Sequence, residues 1–187
     1  MVTGISSTLG VSAVHDVPAQ AGIYDEASGW RDLANPFPMG CDMNEGGAFD
    51  VSGDGSVVVG LMWNGCAPQA FRWVDDGGAG TVKLLELLGM PATGSSSPVN
   101  RATVISDDGS IAAGFAQEGD AVDRFPAVWK ADGTGFTLDD LPTDTPGEVL
   151  SISADGSVLA GTTGFDGFRW TSPTGSVVLP RLATALP

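Results

Sequence analysis

The chain has few cations, almost no histidine and little sulfur. Eight Lys plus Arg stand against 23 Asp plus Glu, a formal charge of -15 at pH 7. A surface that negative repels phosphate backbones and anionic headgroups, so nucleic acid and membrane surfaces are poor candidates as partners. The single histidine, His15 in "SAVHDVP", has no nucleophile elbow near it and leaves a Ser-His-Asp or Cys-His arrangement, or a His and Cys zinc site, without its members. The "GDGS" stretch lacks the lysine and the following helix of a phosphate-binding loop. No catalytic residue, cofactor site or metal site is assigned on these grounds. No apolar run reaches the roughly 18 residues of a membrane span. The opening "MVTGISSTLGVSAV" lacks the basic start of a signal peptide, and the expectation is a mature segment of an exported protein whose signal lies outside it.

Only two cysteines occur, Cys41 and Cys66, on either side of the first complete turn motif described below. In an exported protein they are expected to form one structural disulfide, worth about 2 to 4 kcal/mol where geometry permits. Met39, Cys41 and Met43 alternate as soft ligands would on a strand face, but a copper site would normally add a histidine, and His15 is distant in sequence.

What is abundant is glycine, 27 residues, with 12 prolines and a hydrophobic share of 42%. That share supports a packed core, and turn-rich composition with short apolar runs and no long helical periodicity predicts an all-β fold. The chain also repeats itself. "SGDGSVVVG" (Ser52 to Gly60), "SDDGSIAAG" (Ser106 to Gly114) and "SADGSVLAG" (Ser153 to Gly161) each follow a short apolar segment. After a loop of variable length each is followed by an aromatic strand, "AFRWV", "PAVWK" or "GFRWT", then a Gly-rich turn and a last apolar segment. Every unit thus predicts four short strands, which at this period suits a β-propeller blade. The strand after the turn is apolar at consecutive positions, so both its faces should be covered by neighbouring blades.

Three complete units (37–91, 92–142 and 143–187) and one partial unit (1–36) are expected, within a single repeat domain spanning 1–187. In the partial unit "AGIYDEASGWRDL" has the order of an aromatic strand, a turn and a last strand, with Tyr24 as the counterpart of Trp73, Trp129 and Trp170. The fold expected is therefore a β-propeller, or a propeller fragment, of four-stranded antiparallel blades.

The pattern V-S-x-D-G-S-V-V-V-G followed by A-F-R-W resembles the bacterial extracellular HAF-type repeat, over roughly Ala48 to Leu182. The resemblance implies a secreted or cell-surface location more than an activity.

For the D-G corners, the plain reading is a hairpin turn of the two-residue kind, with Gly55, Gly109 and Gly156 at positive φ. Calcium would need more oxygen ligands than Asp54, Asp107 with Asp108, and Asp155 supply, so it is disfavoured. The repeated tryptophans are expected to pack blade against blade. Arg72 and Arg169 point to the opposite face and are expected to pair with a turn carboxylate. Function is then sought in the loops where the copies differ. The residues expected to contact a protein or glycan ligand are Trp63, Asn64, Gln117, Glu118, Asp120 and Phe165. The expectation is a non-enzymatic, secreted or cell-surface interaction module. Two alternatives are a carbohydrate-active lyase or hydrolase with a central acidic pocket, drawing on pairs such as Asp75-Asp76 and Asp139-Asp140, and a self-assembling surface or filament module whose free edges invite self-association.

Overall fold

A computed structural model describes residues 2–6, 20–27, 29–33, 35–37, 46–65, 67–89, 99–117, 124–142 and 145–181. Among these residues all the regular structure is β. A first sheet holds β1 (Val2–Ser6), β2 (Gln20–Asp25) and β3 (Gly29–Asp32). The second holds β4 (Gly47–Val51), β5 (Val57–Asn64), β6 (Ala67–Val74) and β7 (Thr81–Leu84). The third holds β8 (Val99–Ile105), β9 (Ile111–Gln117), β10 (Arg124–Lys130) and β11 (Gly135–Thr137). The fourth holds β12 (Gly147–Ile152), β13 (Val158–Thr163), β14 (Asp166–Thr171) and β15 (Gly175–Val178). Each sheet is an antiparallel meander in chain order, the arrangement of a propeller blade. The partial unit has one strand more than its sequence pattern predicts, because β1 pairs with β2 at Val2 to Tyr24 as β5 pairs with β6 at Val58 to Trp73. The first sheet therefore contains the second, third and fourth strands of a blade.

The sheets stack in a row that is not closed into a ring, with β4, β8 and β12, the first strands of the last three sheets, lying against the sheet before. Three apolar layers fill the gaps. Ile23 and Leu33 meet Val58, Phe71 and Trp73 in the first gap. Val59 and Leu85 meet Ile105, Ala112 and Trp129 in the second. Val128 and Leu138 meet Val149, Leu159 and Phe168 in the third. Because side chains alternate along a strand, each sheet has a backward face turned to the preceding sheet and a forward face turned to the next. This is why the second strands read apolar at consecutive positions: Val58 serves the backward face, and Val57 and Val59 the forward one. Trp73 and Trp129 are fully buried on backward faces, as the packing reading expects.

The repeated glycine that closes each apolar run has a steric cause. The first strand carries a one-residue bulge at Phe49, Thr103 and Leu150, seen as the register shift beside each paired glycine. The bulge carries the carbonyl of Gly47, Arg101 or Glu148 across Gly60, Gly114 or Gly161, into the space where a Cβ would lie.

The S-x-D-G-S motif is a turn, as expected, but not a two-residue one. Ser52 and Val57 pair across four loop residues, with Gly55 N–H donating to Ser52 C=O at 2.9 Å and Gly55 at φ 77°. No described non-glycine residue has positive φ, which makes 52–55 a type I turn ended by a left-handed glycine. The turn takes Ser52 C=O out of the ladder, so Val57 N–H donates instead to Ser52 Oγ at 3.0 Å. Ser52 Oγ in turn donates to Asp54 Oδ1 at 2.8 Å, and Asp54 Oδ1 also accepts Ser56 N–H at 2.9 Å and Ser56 Oγ at 2.7 Å. The copy at Ser153 repeats the same bonds around Asp155, and the copy at Ser106 repeats those of the Ser106 hydroxyl, the Ser110 N–H and the Ile111 N–H around Asp108 and Ser106. Both serines, the aspartate and the glycine are thereby accounted for by the corner itself.

Candidate interaction surface

A meander places its connections alternately at its two ends. The S-x-D-G-S corners and the turns between third and fourth strands share one end, where Asp75 N–H donates to Ser56 C=O at 2.8 Å. That end is stitched across sheets by backbone. Gly53 N–H donates to Asp107 C=O at 2.9 Å, and Asp107 N–H donates to Ala154 C=O at 2.9 Å. Arg72 donates to the carbonyl of Gly109 in the next sheet, beside the Asp108 carboxylate. The partner is thus a main-chain oxygen and not the carboxylate expected, since the turn serines already occupy Asp108. Arg169, its counterpart in the fourth sheet, is exposed, and its side chain makes no hydrogen bond or ion pair among the described residues.

Electrostatics on this end follow the same bonds. The Ser56 N–H, then the Ser56 and Ser52 hydroxyls, bring the Asp54 carboxyl down to about 2. The Ser153 hydroxyl, with the Ser157 N–H and hydroxyl, does the same to Asp155, and the Ser106 hydroxyl lowers Asp108. The carboxylate pairs weighed for sugar chemistry are also engaged in turns and stitches. Asp75 Oδ1 accepts Gly77 N–H at 2.9 Å, and Asp76 Oδ1 accepts Gly78 and Gly80 N–H at 3.0 Å. Asp140 accepts Ser176 N–H at 2.5 Å and Ser176 Oγ at 2.7 Å, clamping the fourth sheet to the third. Glu86 clamps the third to the second by accepting Gly135 N–H at 2.8 Å and, through its carbonyl, Trp129 Nε1 at 2.9 Å. Among the described residues no group of three or more His, Cys, Asp or Glu could hold a metal ion.

The opposite end carries the hairpins between second and third strands, and four of the residues expected from sequence to bind, Trp63, Asn64, Gln117 and Phe165, lie there. Trp63 is half-buried with its carbonyl held by Asn35 Nδ2 at 2.7 Å, while its indole N–H is buried without a hydrogen-bond partner. Asn64, exposed, donates to Gln69 Oε1 at 3.4 Å. Gln117 accepts from Arg124 Nε at 3.2 Å across the base of its hairpin. Phe165 stands at the tip of a tight turn, 99% exposed, after Gly164 at φ 57°. Glycine at the first central position marks a type II′ hairpin, which presents the second residue to solvent. Glu118, Asp120, Cys41 and Cys66 lie outside the described residues.

Sequence reasoning missed a cluster on the first strands. The Arg101 guanidinium sits 4.9 Å from the Phe49 ring and 4.8 Å from the Phe115 ring, and Arg124 covers the same Phe115 at 4.4 Å. Arg101 also donates to Glu148 Oε1 at 2.6 Å, an oxygen shared with Thr103 Oγ1 at 2.6 Å. One arginine thus ties three sheets together. Neither Phe49 nor Arg101 recurs in the other copies, so repeat alignment carried no signal for it.

Comparison with known proteins bears on this arrangement only as a fold. No protein family model matches the chain, and no curated protein matches it. Among solved structures it is similar to TolB from Acinetobacter baumannii, with a TM-score of 0.57 and 19% identity, over 95% of this chain and 40% of that one. The fold is that of β-propeller blades. The chain spans two fifths of the TolB chain it matches.

Proposed function

We propose that the chain is a non-catalytic interaction module of a secreted or cell-surface protein, which binds a protein or glycan through the hairpins between second and third strands. One observation carries this reading: the repeated elements spend their polar groups on turns and stitches, whereas the hairpin ends differ in every copy and include a phenylalanine 99% exposed. A rigid scaffold with variable tips is the usual arrangement for recognition, and an exposed aromatic suits both a sugar face and a peptide. The HAF-type resemblance supports the extracellular location. The test is capture from surface extracts and a glycan array, each run with the parent chain and with Phe165→Ser combined with Asn64→Ala. Binding retained by the parent and lost by the variant supports the reading. Silence in both assays, or undiminished binding by the variant, removes it.

A further inference from the structure

The forward face of every sheet is built from equivalent positions, and they identify what the fourth sheet is prepared to meet. Leu33, Leu85, Leu138 and Leu179 each donate their N–H to the matching third-strand carbonyl, of Ala21, Ala70, Pro126 and Gly167. The first three are buried under the following sheet, at 3%, 1% and 4% exposure, and Leu179 is 45% exposed. The fourth-strand position repeats the pattern. Arg31 lies 5.0 Å from the Trp73 ring centroid, Lys83 donates to the Asp132 carbonyl, and Phe136 meets Trp170 at 6.1 Å, each reaching the next sheet. Val177, their counterpart by pairing with Arg169, is 53% exposed.

The other end of the row shows the complementary surface. Backward faces offer an aromatic residue to the leucine of the preceding sheet: Trp73 shares a layer with Leu33, and Trp129 with Leu85. The first sheet has Tyr24 at that position, paired with Trp30. The two rings make an edge contact at 5.6 Å and are 37% and 55% exposed.

We infer that the forward face of the fourth sheet receives the backward face of the first sheet of a second copy of this chain, Leu179 and Val177 seating on Tyr24 and Trp30. The contact continues the leucine-on-aromatic junction that the molecule already makes internally. It is heterologous, with different surfaces on the two copies, so it propagates in one direction until a ring closes or a row extends. It uses the sheet faces at the two ends of the row and is independent of the hairpin tips.

The test uses sedimentation of the full chain and two surface variants, Leu179→Asp and Trp30→Asp, with Val177→Lys as a second block of the forward face. Far-ultraviolet circular dichroism and melting curves check that each variant is folded. The parent is expected to show a mass that rises with concentration, and each single variant to lose that rise. A mixture of Leu179→Asp and Trp30→Asp retains one intact forward face and one intact backward face, and is expected to form a species with one copy of each. A parent chain that stays monomeric at every concentration overturns the inference. So does self-association that survives both forward-face substitutions, or a mixture of the two blocked variants that fails to pair.

Discussion

The main-chain N–H of Gly53 donates to the carbonyl of Asp107 at 2.9 Å, joining the variable position of one S-x-D-G-S corner to the variable position of the next. Asp107 N–H makes the same bond to Ala154, whose own N–H has no partner among the described residues. All three residues occupy the second position of a type I turn, where proline fits without strain. Asp107→Pro is therefore expected to lose about 1 kcal/mol through the missing donor. Ala154→Pro, at the same turn position, is expected to be neutral or stabilising by about 0.5 kcal/mol. Urea unfolding of both variants checks the contrast, and equal losses would show that the stitch contributes nothing.

Ser106 is fully buried, and its hydroxyl accepts Ile111 N–H at 3.0 Å while donating to Asp108 at 2.6 Å. Ser106→Ala leaves the part-buried Ile111 N–H without its acceptor, and the expected loss is about 1 kcal/mol. Ser106→Thr keeps the hydroxyl and is the control in the same denaturant titration.

Gly114→Ala places a methyl group against the Arg101 carbonyl beside the bulge. Backbone cannot yield as a flexible side chain would, so the loss is expected to reach about 3 kcal/mol or to prevent folding of the third sheet. Gly78→Ala, at an exposed turn where the nearest atom is a side-chain oxygen of Asp76 at 3.3 Å, is expected to be mild. Soluble yield and melting temperature of the pair separate the outcomes.

Asp54 and Asp155 are held down to about 2, and Asp108 is also lowered, by hydrogen bonds that favour the carboxylate. A carboxyl whose folded pKa lies below its unfolded value, roughly 3.9, stabilises the fold above that unfolded value. The contribution is lost as pH falls toward about 2. Stability is thus expected to decline between about pH 4 and pH 2. The triple variant Asp54→Asn, Asp108→Asn, Asp155→Asn should be weaker at neutral pH and flatter across that window. A parallel acid profile in parent and variant would assign the dependence to other groups.

The fold was legible because repetition multiplies a weak signal: three copies of a serine, an aspartate and two glycines at fixed spacing mark the corner, and the aromatic strand follows in register. Tyr24 could be matched to Trp73 from its place before a turn, and β1 could have been found too, since Val2 and Gly4 stand where Val58 and Gly60 do. The bulge at Phe49, Thr103 and Leu150 was hidden because its three residues share no chemistry, and only the facing glycine is constrained. The stitch at Gly53, Asp107 and Ala154 was hidden for a related reason: main-chain bonds leave the side chain free to vary. The Arg101 cluster depends on residues that differ between copies, so nothing in the repeat could point to it.

The corner stitch also has a direction, since Gly53 and Asp107 each give their N–H to the unit that follows, and Asp107 takes one from the unit before. Because a turn at the variable position contributes only main chain to that bond, a duplicated or deleted unit would meet its new neighbours through the same donor and acceptor. This one bond would thus survive a change in the number of units, whereas the side-chain junctions, such as the one Arg101 makes, would have to be rebuilt.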